Sequence, residues 1–492
     1  MILDIDGDIN RYYAQTLCMI YFPGADFSNK NDISEHQSAV SFKIAENGDG
    51  AYVSVCIRTG EEEAAADSLI TYKPEYTKDK CVKIAAGAAM IKAGKKLFGC
   101  TPPWGILTGV RPSKIVADLF QKGLKTSEIK NILINEYYIN PKKATLVTNI
   151  ASREEKIIKK LPKNSCSVYI SIPFCPTRCA YCSFVSYSTK RLLSLIPEYL
   201  EQLYIDIDDI LSLIKSLGQK ITTVYIGGGT PTILNEIQLE TLLKRIAAHI
   251  DVSSLLEYTI EAGRPDTINK EKINIAMQYG VNRISINPQT LNDEVLTRIG
   301  RKHTSEEFFK AFGAARECGI KYINTDLIAG LPGEGYRSFS SSIDEIIKLK
   351  PENIMVHTFC VKKSADIIKN NTDLYSINGG ETGKSVDYSQ IMTKNAGYVP
   401  YYMYRQKNTI GNFENVGFSL EGMEGKYNIF IMEEIHSIFA AGAGSVTKLI
   451  SPDRKQIQRF FMPKYPYEYL NLKNKPEIKR NIYEKINLFY NP

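Results

Sequence analysis

Between residues 166 and 359 the chain repeats one pattern: a short apolar run, a polar break, then an apolar stripe at helical spacing. Strand-like runs fall at 167–172, 222–226, 257–262, 283–287, 322–327 and 353–359. Helical runs fall between them at 192–217, 236–249, 267–279, 305–318 and 338–348. Parallel strands need long crossovers, and those crossovers are right-handed, so six such units build a parallel sheet, open or curled into part of a barrel. Both forms gather their chemistry at the C-terminal ends of the strands. Few features restrict a chain's fold this tightly.

The flanking regions differ. Residues 1–160 mix strands and helices: 51–57 alternates like a strand, 61–70 is rich in Ala and Glu, and 82–97 has helical spacing. Residues 100–114 read as a loop with Pro112 at a helix start, and they hold the single tryptophan, Trp104. This corner is either a packing point or a lid or anion contact through Arg111 and Lys114. Residues 125–161 read as two helices, and 162–165 as a boundary. After 360 the chain reads as loop-rich and aromatic, with four tyrosines in 398–404 and a turn-rich stretch at 411–417. Residues 427–439 alternate first and then turn helical, and 440–445 read as a tight glycine turn. Three units are expected: 1–160, 161–365, and a substrate-covering extension at 366–492.

Hydrophobic residues make up 43% of the 492 positions, enough for a sizeable core. No run of 18 apolar residues suggests a membrane span, and the acidic start lacks a signal-peptide pattern, so a cytoplasmic location is expected. The net charge of +7 is mild for this length and suits an anionic small molecule; with no arginine-rich tract, a nucleic-acid partner is not expected. Ten cysteines in so long a chain do not form a disulfide scaffold, and three of them cluster.

Those three are Cys175, Cys179 and Cys182, a C-x3-C-x2-C run just after the first strand of the alternation. Three thiolates on one short loop can each bind one iron of a [4Fe–4S] cube and leave the fourth iron open. Structural zinc would need a fourth ligand. Cys166 is a poor candidate for it, because at about 3.3 Å per residue it starts its strand roughly 20 Å from the loop. A redox dithiol of Cys179 and Cys182 would leave Cys175 without a role.

The triplet, with Tyr181 just before its last cysteine, resembles the signature of the radical S-adenosylmethionine (SAM) superfamily. Further stretches sharpen the resemblance to the oxygen-independent coproporphyrinogen III oxidases and dehydrogenases, and to the HemZ type in particular. They are residues 169–175, the Gly227-Gly228-Gly229-Thr230-Pro231 run, residues 258–262, 283–289, 299–303 and 324–332, with further likeness in the tail and in residues 1–160. The resemblance implies an α/β fold: a radical SAM partial (β/α)6 barrel with an N-terminal α+β domain and a C-terminal mixed extension. It implies a [4Fe–4S] cluster on Cys175, Cys179 and Cys182. SAM would meet Tyr169, Tyr181, Gly228, Gly229, Thr230, Glu261, Gln289, Arg301, Asp326 and Cys360. Arg301 would pair with the methionine carboxylate, Asp326 with the ribose, and Cys360 would lie where a backbone group reaches adenine.

Two departures stand out. Phe184 takes the place of a further cysteine, and Asn287-Pro288-Gln289 replaces Gly-Val-Gln.

The implied reaction is oxidative decarboxylation of two propionates of coproporphyrinogen III to vinyls, giving protoporphyrinogen IX for haem biosynthesis. Implied partners are the tetrapyrrole, a one-electron donor such as flavodoxin or ferredoxin, and an unidentified electron acceptor. Arg405, Lys407 and Lys302 are candidates for the substrate carboxylates, because Arg is the better bidentate partner and Lys a point charge. Tyr401, Tyr402 and Tyr404 are candidates for stacking on the macrocycle. Two other functions stay open: a haem-binding or haem-delivery protein, and a different radical SAM tetrapyrrole-modifying enzyme.

Overall fold

The computed structural model describes residues 1–28, 38–182, 186–360, 380–406, 409–474 and 476–491. Near the N-terminus, strands β1 (Ile2–Asp6), β2 (Ala39–Asn47), β3 (Gly50–Thr59) and β4 (Glu62–Thr71) form one sheet in that order. Val53, Val55 and Ile57 alternate along β3 into the core, against the helix Lys78–Phe98. The Ala- and Glu-rich run is itself strand β4. Antiparallel pairing with β3 along its whole length outweighs its weak strand propensity. Helices Pro112–Gln121, Thr126–Asn135 and Pro141–Ile158 follow, the first starting at Pro112 as expected.

The alternating region forms β5 (Ser165–Ile172), β6 (Lys220–Gly228), β7 (Glu257–Glu261), β8 (Arg283–Ser285), β9 (Tyr322–Ala329) and β10 (Asn353–Thr358). All six are parallel and adjacent in chain order. β5 is buried along nearly its whole length, because helices cover one face and the interior the other. This is the expected α/β partial barrel.

The tail differs from the loop-rich extension expected. It adds strands to both edges of the same sheet, which reads β11-β12-β10-β9-β8-β7-β6-β5-β13-β14-β15. The hairpin β11 (Val399–Arg405) and β12 (Glu414–Ser419) pairs antiparallel onto β10. At the other edge β13 (Ile438–Ala441) runs parallel to β5, and β14 (Val446–Ile450) and β15 (Ile457–Phe461) follow antiparallel.

The order expected for 427–439 is also reversed: the helix Lys426–Glu433 comes first and strand β13 second. The reason lies outside the segment. Gly425 offers no side-chain cap, and the first helical N–H groups of Lys426 and Tyr427 donate instead to the Glu257 carboxylate on β7, at 2.7 and 3.2 Å.

Among the described residues no helix is long and apolar enough to cross a membrane.

Candidate functional site

The C-terminal ends of β5 to β10 open into a cavity of about 410 Å³. The segment after β5 carries Cys175, Cys179 and Cys182, and all three line this cavity. All ten cysteines are thiols. The loop is pinned from both sides: the Cys175 N–H donates to Tyr187 O (3.0 Å), and the Ala180 N–H to Ile299 O (3.0 Å). Burial pushes the Cys175 thiol up. Among the described residues no three His, Cys, Asp or Glu side chains close on a single ion. A cubane asks for a different arrangement, one thiolate on each of three irons, and three thiols lining one cavity fit that donor set.

The glycine run ends β6 where the chain passes close to β5. Gly228 sits at φ +114°, and a Cβ at Gly229 would lie 2.5 Å from Phe174 O, so neither position accommodates a side chain without movement. Thr230 is buried, and its hydroxyl lies 3.4 Å from Cys175 Sγ, which joins the glycine run to the cysteine loop.

Glu261 ends β7 and accepts the Tyr225 hydroxyl proton at 2.5 Å. Burial, with Asp326 nearby, pushes its carboxyl up to about 7 against that hydrogen bond. Gln289 follows β8 at φ +69°; its N–H donates to Asp326 O and its carbonyl accepts from Ile328 N–H, both at 2.9 Å, so this loop leans on β9. Asn287, one of the two departures, orients Asp326 by donating to its carboxylate at 2.9 Å.

Arg301 is buried. Its guanidinium reaches Gly263 O (2.8 Å), Asn287 O (3.0 Å) and the Tyr181 hydroxyl (3.2 Å). Its Nε is buried without a partner, as is Asn287 Oδ1. Unsatisfied buried polar atoms are costly, and a polar ligand in the cavity would relieve that cost. A buried cation, two carboxylates, a glycine cradle and three thiols around one space fit a cluster and a zwitterionic, ribose-bearing cofactor.

Every expected cluster and SAM residue lines this cavity: Cys175, Cys179, Cys182, Tyr169, Tyr181, Gly228, Gly229, Thr230, Glu261, Gln289, Arg301, Asp326 and Cys360. The substrate candidates divide. Tyr401, Tyr402 and Tyr404 line the cavity together, although strict alternation would turn Tyr401 away. A register shift between Pro400 and Tyr402 breaks the alternation.

Arg405 does not line the cavity. Its guanidinium donates to Leu107 O and Asn412 O and lies 5.5 Å from the centre of the Trp104 ring, a buried seam between the N-terminal segment and the tail. Lys302 is exposed and does not line it either. Lys407 and Phe184 lie outside the described residues. Trp104 is a packing corner: it is buried and donates to Glu414 Oε2 at 2.7 Å. Arg111 pairs with Glu434 at 2.8 Å.

Sequence reasoning missed His357 at the end of β10. Its position at a strand end was the signal that could have found it. Its Nδ1 lies 3.1 Å from the Tyr404 hydroxyl and its Nε2 3.5 Å from Asp326 Oδ2.

The radical SAM superfamily model matches residues 169–346. The chain is 40% identical over 374 residues to the oxygen-independent coproporphyrinogen-III oxidase-like protein HemZ of Bacillus subtilis, covering 75% of each protein. It is 32% identical over 310 residues to the heme chaperone HemW of the same organism, covering 61% of this chain and 77% of that one. Coproporphyrinogen III oxidase (HemN) from Escherichia coli is a looser structural likeness, at a TM-score of 0.48 and 21% identity over 62% of this chain and 70% of that one. The chain belongs to the radical SAM superfamily, which works with a [4Fe–4S] cluster and S-adenosylmethionine, and within it to the family of oxygen-independent coproporphyrinogen III oxidase-like proteins.

Proposed function

We propose that the protein is an oxygen-independent coproporphyrinogen III dehydrogenase. The observation that carries this reading is that Tyr401, Tyr402 and Tyr404, with Ile431 and Met432, line the same cavity as the cysteine loop and the SAM residues. Tyr402 and Tyr404 lie near-parallel, 6.5 Å apart at 23°. Such a surface suits a flat macrocycle, since aromatic faces prefer offset stacking.

Each propionate would lose a hydrogen atom from its β-carbon, carbon dioxide and one electron, the electron passing to an external one-electron acceptor, and leave a vinyl group; two such events give protoporphyrinogen IX. When bound, the cluster and SAM supply the one-electron and hydrogen-atom chemistry. Cys175, Cys179 and Cys182 would hold the cluster. Gly228, Gly229 and Thr230 would offer backbone and hydroxyl groups to the methionine amino group, and Arg301 would hold the methionine carboxylate by charge-assisted hydrogen bonds. Glu261, Gln289 and Asp326 would orient the rest of SAM, with Tyr169 and Tyr181 closing the space around it. The tyrosine wall would exclude water from the reacting propionate.

The second reading is a haem-binding protein like the HemW relative. His357 is the histidine that lines the cavity among the described residues, and its two ring nitrogens already face Tyr404 and Asp326. A haem iron would have to displace one of these contacts, which favours the enzyme.

The test is an anaerobic assay of the reconstituted protein with SAM, a reductant and coproporphyrinogen III. Deoxyadenosine together with a tetrapyrrole lighter by two carboxyl groups supports the reading. Deoxyadenosine without that product rejects the substrate, and tight haem binding with no turnover supports the second reading.

A further inference from the structure

The cysteine loop has an outer side as well as a cavity side. There Tyr187 is stitched to the strand end leading into Cys175: its N–H donates to Pro173 O (2.9 Å) and its carbonyl accepts from the Cys175 N–H (3.0 Å). The Tyr187 ring lies 5.7 Å from Tyr465, which stacks on Tyr467 at 5.5 Å and 17°. Tyr465 and Tyr467 are 43% and 50% exposed, and Phe461, at the end of edge strand β15, is 67% exposed. Clustered exposed aromatic side chains mark interaction sites rather than ordinary surface.

Basic residues surround this platform. Arg178 lies in the cysteine loop, between Cys175 and Cys179. Lys464 accepts the Tyr187 hydroxyl proton on its backbone carbonyl at 3.4 Å. Lys190 and Arg191 open the short helix Lys190–Leu193 just beyond Tyr187. Lys302 lies two residues beyond Gly300, where an added Cβ would lie 3.1 Å from Arg178 O. All five side chains are exposed, and among the described residues none enters an ion pair. Lysines elsewhere on the surface pair locally, as in Lys83–Asp79, Lys310–Glu306 and Lys384–Glu381. Glu468, next to Tyr467, is an exposed acid beside the platform.

We propose that this face is the docking surface for a small acidic one-electron carrier, a flavin or iron–sulfur protein, that reduces the cluster. Unpaired positive charge around aromatic anchors asks for a negative partner and speeds its encounter. A second copy of this chain would bring the same positive charge and be repelled. The platform's position, one backbone hydrogen bond from a cluster cysteine, asks for a redox partner. The carrier gives up one electron to the cluster, and no bond or proton moves. The inference rests on the cluster and not on the tetrapyrrole reading, so either can fail alone.

The test uses the reconstituted full chain with flavodoxin as the probe, and measures the dissociation constant at low and high salt together with the rate of reduced-flavodoxin oxidation. The charge reversal Lys190→Glu/Arg191→Glu/Lys464→Glu is expected to weaken flavodoxin binding roughly tenfold or more at low salt, through lost long-range attraction. Tyr465→Ser/Tyr467→Ser is expected to weaken it with less salt dependence. Cluster bleaching by dithionite, which needs no docking, stays unchanged in both. Unchanged flavodoxin affinity in both variants overturns the proposal, as does a parallel loss of dithionite reduction. Wild-type protein that ignores flavodoxin but dimerises, or that binds anionic phosphatidylglycerol vesicles through this face, also overturns it.

Discussion

The two walls of the cavity are built in different ways. The inner wall stands on β5 to β10 and the segments that follow them: Tyr169 and Asp326 sit within β5 and β9, Gly228 and Glu261 end β6 and β7, the cysteines and Gln289 follow β5 and β8, and Arg301 comes after the helix Asp293–Arg298. The outer wall comes from the hairpin β11–β12 and the helix Lys426–Glu433, both held by residues before 160. Trp104 and Lys143 each bond to Glu414 at 2.7 Å, and Gln390 does so at 2.6 Å. The Arg405 N–H donates to Val110 O (2.8 Å), Asn412 Nδ2 to Ile20 O (3.1 Å) and Arg111 to Met432 O (2.8 Å). The inner wall follows from a fold-level rule. The outer wall follows from contacts between segments some three hundred positions apart, and it gives residues 1–160 a role as a brace for the tyrosine wall.

The bluntest way to separate the walls is Cys179→Ala. It should reduce iron content and turnover to background while coproporphyrin III still binds the tyrosine wall. Loss of porphyrin binding as well would mean that the walls are not separate.

Glu414→Ala attacks the brace. It leaves Lys143, whose side chain is 5% exposed, with the exposed Asp387 at 3.2 Å as its remaining partner, and loss of a buried partner costs up to about 3–5 kcal/mol. Urea unfolding should show that loss. A change below about 1 kcal/mol would remove the brace from the account, since exposed pairs contribute no more than that.

How much of this was legible in the sequence follows the same division. The strand ends could be read because a parallel α/β unit announces itself locally, and Cys175, Glu261 and Asp326 fall at fixed places in it. The tail could not. Its helix at Lys426 is capped by Glu257, and its tyrosines reach the cavity through a bulge. Arg405 was read for its charge, but the carbonyls that take that charge, Leu107 and Asn412, become neighbours only in the fold.

pH should distinguish the regions with opposite signs. The Glu261 carboxyl on the inner wall is raised from 4.5 to about 7 in the folded chain. Its contribution to stability is therefore full below pH 4.5 and lost as the pH rises to about 7. His436, held between Ser165 and Ser167 where the tail joins β5, is lowered by burial from 6.5 to about 3. Its contribution is full above pH 6.5 and lost as the pH falls toward 3. Each slope is at most about 1.4 kcal/mol per pH unit. Urea midpoints should show wild type losing ground to Glu261→Gln as the pH rises from 4.5 to 7, and gaining on His436→Gln as it rises from 3 to 6.5. Parallel slopes would contradict both assignments.

The most direct test of the two-wall account is a pair of equilibrium titrations, SAM and coproporphyrin III, on Arg301→Lys and Tyr404→Ala. Lysine cannot reproduce the guanidinium fork, so Arg301→Lys should weaken SAM roughly tenfold, about 1.4 kcal/mol, and leave the porphyrin unchanged. Tyr404→Ala should weaken the porphyrin a few-fold, on the order of 1 kcal/mol for one lost aromatic face, and leave SAM unchanged. Both ligands weakening together in either variant would contradict the division of the cavity.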